Sequence, residues 1–186
     1  FNIFKEYSIA YFFYIGGNDS MDTVMKLSKY AKQISFPINI IGVPKTIDND
    51  LYGTDHTPGF GSAAKYIATT INEITRDMNV YNIDFVTIIE VMGRNAGWLT
   101  ASSALARSKY NSTPDLIYLP EVPFSIKKFV ADVKRIQKEK KRVLAVVSEG
   151  VKDINGEYIC DVINKGKPVD AFGHKSLGGT AALLGE

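Results

Sequence analysis

Pro44-Lys-Thr-Ile-Asp-Asn-Asp50 sets one cation, two carboxylates and an amide within seven residues, directly after the apolar run at residues 38–43. Asp48 is placed to take a hydroxyl proton, Lys45 to neutralise phosphate charge, and Asp50 to orient either group. A solvated Asn/Asp turn is the structural alternative. Ile15-Gly-Gly-Asn-Asp-Ser20 joins an aromatic-rich run to an amphipathic stretch. Its glycines let backbone N–H groups approach an anion at a helix N-terminus. The same residues equally suit a tight turn with Asp19 or Ser20 as an ordinary cap. Met92-Gly-Arg-Asn-Ala-Gly-Trp98 follows another apolar run, and Arg94 there can present its fork of donors to a phosphate. A helix-capping loop with an exposed arginine is the alternative. Glu149, after residues 143–147, suits sugar hydroxyls or a plain surface position.

Other chemistry-bearing residues carry less. His56 and His174 have no Cys or His at metal-ligand spacing, which argues against a structural zinc site. Cys160 has no nucleophile context and suits buried filler. The charge run at residues 134–142 reads as a solvated helix face.

These clusters need rigid elements behind them, and the hydrophobic pattern supplies them. Residues 9–15 predict a buried strand, and Ser20 caps a predicted helix carrying Met21, Val24, Met25, Leu27 and Ala31. A second strand is predicted over 38–43. A helix with Ala64, Ile67, Ala68, Ile71 and Ile74 follows over 62–78. Strands over 85–92, 115–119 and 142–148 alternate with helices over 96–108 and 125–141. Strands separated by helices indicate an α/β fold with mainly parallel sheets, whose ligands sit at the carboxyl ends of strands. The polar and glycine-rich clusters fall at those ends.

Composition bounds the function. The 186 residues carry 22 basic and 20 acidic side chains, a net charge of +2, so no basic field for nucleic acid or anionic lipid arises. The longest uninterrupted apolar run is seven residues, against about 20 for a membrane helix. One cysteine excludes an intrachain disulfide scaffold and suits a reducing, cytoplasmic compartment. Phe1 and the unfinished pattern at 178–186 suggest a segment of a longer protein.

Taken in order, Gly-Gly-Asn-Asp-Ser, Pro-Lys-Thr-Ile-Asp-Asn-Asp, Met-Gly-Arg-Asn-Ala-Gly-Trp and Ser-Glu-Gly resemble the phosphofructokinase family over about residues 13–179. The resemblance implies a phosphofructokinase-like α/β fold of two Rossmann-like lobes with the site in the cleft between them. Residues 1–60 would belong to the phosphate-donor lobe, 61–172 to the sugar-phosphate lobe, and 173–186 to a segment returning toward the first. It implies phosphoryl transfer to the 1-hydroxyl of fructose 6-phosphate, a reversible glycolytic step, with Mg²⁺ as cofactor. Asp48, Lys45, Asp19 and Arg94 are then expected to be catalytic. Thr46, Ile47, Asp48, Asp50, Met92, Gly93, Arg94, Glu149 and His174 would meet the sugar phosphate. Gly17, Asp19 and Lys45 would meet the donor, and Asn18 with Asp19 the metal. A homo-oligomer, dimer or tetramer, is expected of the full-length enzyme. The family's glycine-rich phosphate loop is not in the sequence, so the isolated segment is expected to be inactive.

Two positions bear on the donor. ATP-using relatives carry glycine where this sequence has Asp19 and Lys45, as diphosphate-using relatives do. A carboxylate at position 19 enters the space of an α-phosphate. Two like charges 4 Å apart cost about 4 kcal/mol at an effective dielectric near 20, which disfavours ATP about a thousandfold. Diphosphate is the expected donor. Asn18 replaces an aspartate that helps hold Mg²⁺ in most relatives, and Leu177 replaces an arginine common in the family. Phe85 and the surroundings of Pro168 lack arginines that many ATP-dependent relatives contribute across a subunit interface. The competing readings are an ATP-dependent enzyme, a non-catalytic regulatory subunit, and a periplasmic-type sugar-binding module.

Overall fold

A computed structural model describes residues 1–161 and 177–186. His174 and the neighbourhood of Pro168 therefore lie outside the described residues. The chain divides into two compact units, Phe1–Gly59 and Phe60–Glu186.

In the first unit, β1 (Tyr11–Gly16) and β2 (Asn39–Pro44) pair in parallel, from Tyr11 opposite Asn39 to Gly16 opposite Pro44. Parallel neighbours need a crossover, supplied by α2 (Asn18–Gln33). The short α1 (Asn2–Glu6) adds an aromatic cluster: Phe1 packs edge-on against Phe4, Tyr30 and Phe36, and Phe4 meets Phe12 of β1.

Two local expectations fail here. β1 is not buried on both faces, because Phe12 and Tyr14 turn inward while Tyr11, Phe13 and Ile15 are 63%, 59% and 66% exposed. Successive side chains of a strand point to opposite faces, and within this unit only one face is covered by helices. Nor does Ser20 cap α2. Gly17 is the N-cap, and Ser20 sits inside the first turn with its side chain folded against Gly16, where a Cβ would collide with it.

The second unit is built on a parallel sheet in the order β3 (Phe85–Val91), β5 (Arg142–Ser148), β4 (Leu116–Tyr118). The central β5 is sealed on both sides from Val143 to Ser148. Its alternate residues feed two cores, as a period-2 strand between two helical layers must. Val143, Ala145 and Val147 pack with Phe124, with Phe129, Val133 and Ile136 of α5 (Ile126–Gln137), and with Ala181 and Leu184 of α6 (Thr180–Gly185). Leu144 and Val146 pack with Ile71 and Met78 of α3 (Phe60–Met78) and with Leu99 of α4 (Trp98–Ser102). Fully burying each Val or Leu contributes about 1.5–3 kcal/mol, so β5 anchors the unit.

The expected helix over 125–141 is α5, started by Ser125, whose hydroxyl accepts from the N–H of Lys128. The expected helix over 96–108 is shorter. It runs as α4 and then tightens into a 3-10 turn, Ser103–Ala106, where Ser102 and Ser103 hydroxyls donate to carbonyls three residues back, both at 2.6 Å. Such side-chain bonds compete with the helical ladder. Residues 177–186, the described part of the segment expected to return toward the first lobe, group with the second unit. There Glu90 of β3 accepts the N–H groups of Gly179 and Ala181, at 3.2 and 2.9 Å.

Candidate active site

In the first unit the polar residues gather where β1 and β2 end. Lys45 donates its backbone N–H to the Gly16 carbonyl at 2.8 Å, holding the loop after β2 against the end of β1. The Thr46–Asp50 turn is then fixed from inside. Thr46 is buried, and its hydroxyl accepts the N–H of Asp48 at 3.1 Å. Thr57, completely buried, donates its hydroxyl to the Thr46 carbonyl at 2.6 Å and its N–H to the Asn49 side chain at 2.8 Å. Asn49 also donates to the Asp55 carbonyl at 3.1 Å. Asn49 has φ of +57°, a left-handed conformation that asparagine tolerates far better than most side chains.

Buried Thr46 and Asn49 are thus the scaffold, and exposed Lys45 and half-buried Asp48 and Asp50 are the residues it displays. The amide of Asn18 donates to Asp50 at 2.7 Å, joining the loops after the two strands. Asp19 is exposed in the first turn of α2, where the helix N-terminus favours negative charge. Ile47 is 37% exposed and lies against Gly59.

In the second unit the loop after β3 is clamped at four places. Gly93, with φ of +127°, donates its N–H to Glu149 at 3.1 Å, and its carbonyl accepts from Ser148 at 2.7 Å. Gly150 passes so close that a Cβ there would overlap the Arg94 carbonyl. Farther along, Gly97 donates its N–H to Glu121 at 2.7 Å. Asn95 accepts from Lys152 at 3.3 Å and Tyr158 at 3.4 Å, with the Lys152 ammonium 4.6 Å from the Tyr158 ring centre. Tyr158 sits on a turn ordered by Asp153, which accepts the N–H groups of Glu157 and Asn155 at 2.9 and 2.8 Å. The Glu157 bond foremost holds the Asp153 carboxyl below its ordinary range.

Arg94 borders an open depression of about 400 Å³ whose walls include Asn95, Tyr158, Asp161 and Leu177. Leu177 is therefore at this pocket. Met92 is 58% exposed.

Thr57, Glu121, Lys152 and Tyr158 escaped the sequence reading. None sits in a glycine-rich cluster, and what they do is support a loop from a distance along the chain. Glu121 had the one legible signal, an acid between two prolines just beyond a strand.

Among the described residues no three His, Cys, Asp or Glu side chains converge to hold a metal ion. Asp50 nevertheless keeps one carboxylate oxygen, Oδ1, buried without a hydrogen-bond partner. That donor set fits Mg²⁺ brought in with substrate oxygens, since this ion is commonly bound by one or two carboxylates plus phosphates.

A phosphofructokinase family model matches residues 1–184. The chain is 45% identical over 183 residues to pyrophosphate–fructose 6-phosphate 1-phosphotransferase of Rhodospirillum rubrum, an alignment covering 98% of this chain and 45% of that protein. It is 42% identical to the enzyme of the same name from Xanthomonas campestris, covering 98% of this chain and 43% of that one. Among solved structures, the pyrophosphate-dependent phosphofructokinase of Nitrosospira multiformis superposes with a TM-score of 0.73 at 44% identity, over 84% of this chain and 40% of that one. The chain spans less than half the length of these relatives. Its motif order, its parallel α/β units and a match along nearly its whole length agree: the chain belongs to the phosphofructokinase family.

Proposed function

We propose that the chain carries donor, base and sugar-phosphate residues of a diphosphate-dependent 6-phosphofructokinase, a soluble cytoplasmic enzyme that works as a homo-oligomer. The observation that carries this is the Thr46–Asp50 turn. Its buried scaffold displays an aspartate and a lysine at the carboxyl ends of paired parallel strands, where ligands of such sheets bind.

In the reaction, Asp48 accepts the proton of the fructose 6-phosphate 1-hydroxyl as that oxygen bonds to phosphorus. The bridging P–O bond of diphosphate breaks, and phosphate leaves. Lys45 and Arg94 meet the negative charge on the transferring group, which in phosphoryl transfer is spread over the equatorial oxygens. When bound, Mg²⁺ would neutralise phosphate charge; Asp50 and Asp19 would hold it, with the Asn18 amide orienting Asp50. Glu149 and the Met92–Gly93 backbone serve the sugar, together with His174. Asp19 excludes the α-phosphate of ATP, and this selects the shorter donor.

The test is phosphoryl transfer to fructose 6-phosphate by the complete protein with diphosphate or ATP at equal concentration. The kcat/KM with diphosphate should exceed that with ATP by at least about a hundredfold, since the Asp19 repulsion estimated above corresponds to about a thousandfold. Equal values would reject the donor assignment.

A further inference from the structure

Asn18 and Asp50 are 32 positions apart, and each follows a different strand of the first unit. The Asn18 amide nitrogen lies 2.7 Å from Asp50 Oδ2. A carboxylate can only accept, so the amide must present its nitrogen here and turn its oxygen away. Position 18 opens α2 directly after the Gly17 cap, and Asp50 closes the catalytic turn. The bond therefore staples the end of β1 to the end of β2, whose last residues, Gly16 and Pro44, already pair in register. Asp50 has no other side-chain anchor among the described hydrogen bonds, and its second oxygen is buried without a hydrogen-bond partner.

We infer that Asn18 is a positioning residue: it fixes the Asp50 carboxylate, and thereby the catalytic turn, through its side-chain N–H, and is not chiefly a metal ligand. This deepens the phosphoryl-transfer reading and rests on it. The amide can do here what a carboxylate cannot: donate. An aspartate of the same size at position 18 would set a second carboxylate against Asp50 where the amide now places an N–H donor. The residue at position 18 is thus matched to the geometry of Asp50.

The decisive variant is Asn18→Asp in the complete protein, since it preserves size and supplies the carboxylate a metal ligand would want. Turnover should fall at least about tenfold, with KM for fructose 6-phosphate changed less than about threefold, because misplacing a reacting group costs rate more than binding. Asn18→Gln, which keeps the N–H donor on a longer arm, should recover part of that loss. Unchanged or higher turnover in Asn18→Asp, or no recovery in Asn18→Gln, would overturn the inference.

A second readout is independent of activity. In thermal unfolding of Asn18→Ala, Asp50→Ala and the double variant, the stability losses should be clearly less than additive, as for two partners in one bond. Additive losses would show that the pair is not coupled and would overturn the inference. If the wild-type protein transfers no phosphoryl group from diphosphate while the losses remain non-additive, the functional reading fails and the Asn18–Asp50 staple stands.

Discussion

Glu149 accepts the backbone N–H of Gly93 at 3.1 Å, so the carboxylate that follows β5 holds the loop that carries Arg94. The two strands run side by side, with Val91 opposite Ser148, and the bond extends their pairing past the sheet. Ser148 completes the clamp by donating to the Gly93 carbonyl. The sugar contact proposed for Glu149 would thus come from a group that already orders its neighbour.

That relationship separates two substitutions. Glu149→Gln keeps an acceptor for Gly93, so denaturant unfolding should give a stability within about 0.5 kcal/mol of wild type. Glu149→Ala leaves the Gly93 N–H without its partner and should destabilise by about 1–3 kcal/mol. Equal stabilities for the two variants would remove the clamp.

Arg94 lies on the loop so fixed, next to the pocket that Leu177 borders. Arg94→Ala should lower kcat by about 10²–10³, the loss typical of one preorganised charge-stabilising donor. KM should change only a few-fold, since contacts made in the transition state alone alter turnover. Steady-state kinetics of the complete protein measure both, and an unaltered kcat would take Arg94 out of the mechanism.

Thr57 supports the Thr46–Asp50 turn of the first unit without being displayed. Thr57→Val keeps the volume but removes the hydroxyl that meets the buried Thr46 carbonyl at 2.6 Å. Leaving that acceptor unsatisfied should cost about 1–3 kcal/mol in unfolding experiments. Turnover should fall as well, because the turn that presents Asp48 loosens. A stable and fully active variant would show that the turn holds without Thr57.

The donor argument predicts a change of preference. Replacing both Asp19 and Lys45 by glycine removes the repulsion of an α-phosphate and the cation at the phosphoryl end. The ratio of kcat/KM for ATP to that for diphosphate should rise at least tenfold, by about 1.4 kcal/mol or more. No gain with ATP, together with unchanged diphosphate affinity, would contradict it.

The alternation of strand and helix and the position of each polar cluster at a strand end were legible, because period-2 and period-3.6 patterns record which faces are buried. The supporting contacts were not. Thr57 reaches Thr46 across 11 positions, Glu121 reaches Gly97 across 24, and Lys152 reaches Asn95 across 57, distances at which local pattern carries no information. Ser20 misled because serine is a strong cap by type, whereas Gly17 takes the extended cap conformation and its carbonyl accepts from Met21. β1 misled because an unbroken apolar run cannot reveal that Tyr11, Phe13 and Ile15 face away from the helices of their own unit.

The most direct test of the account is Asp48→Asn in the complete protein, with turnover and the affinities for fructose 6-phosphate and diphosphate measured together. Asparagine fills the same space in the turn but cannot accept the 1-hydroxyl proton. General-base catalysis is worth about 10²–10⁴ in rate, so turnover should fall by that factor while both affinities stay within a few-fold of wild type. Turnover within tenfold of wild type would show that Asp48 is not the base, and the mechanism assigned to this turn would be wrong.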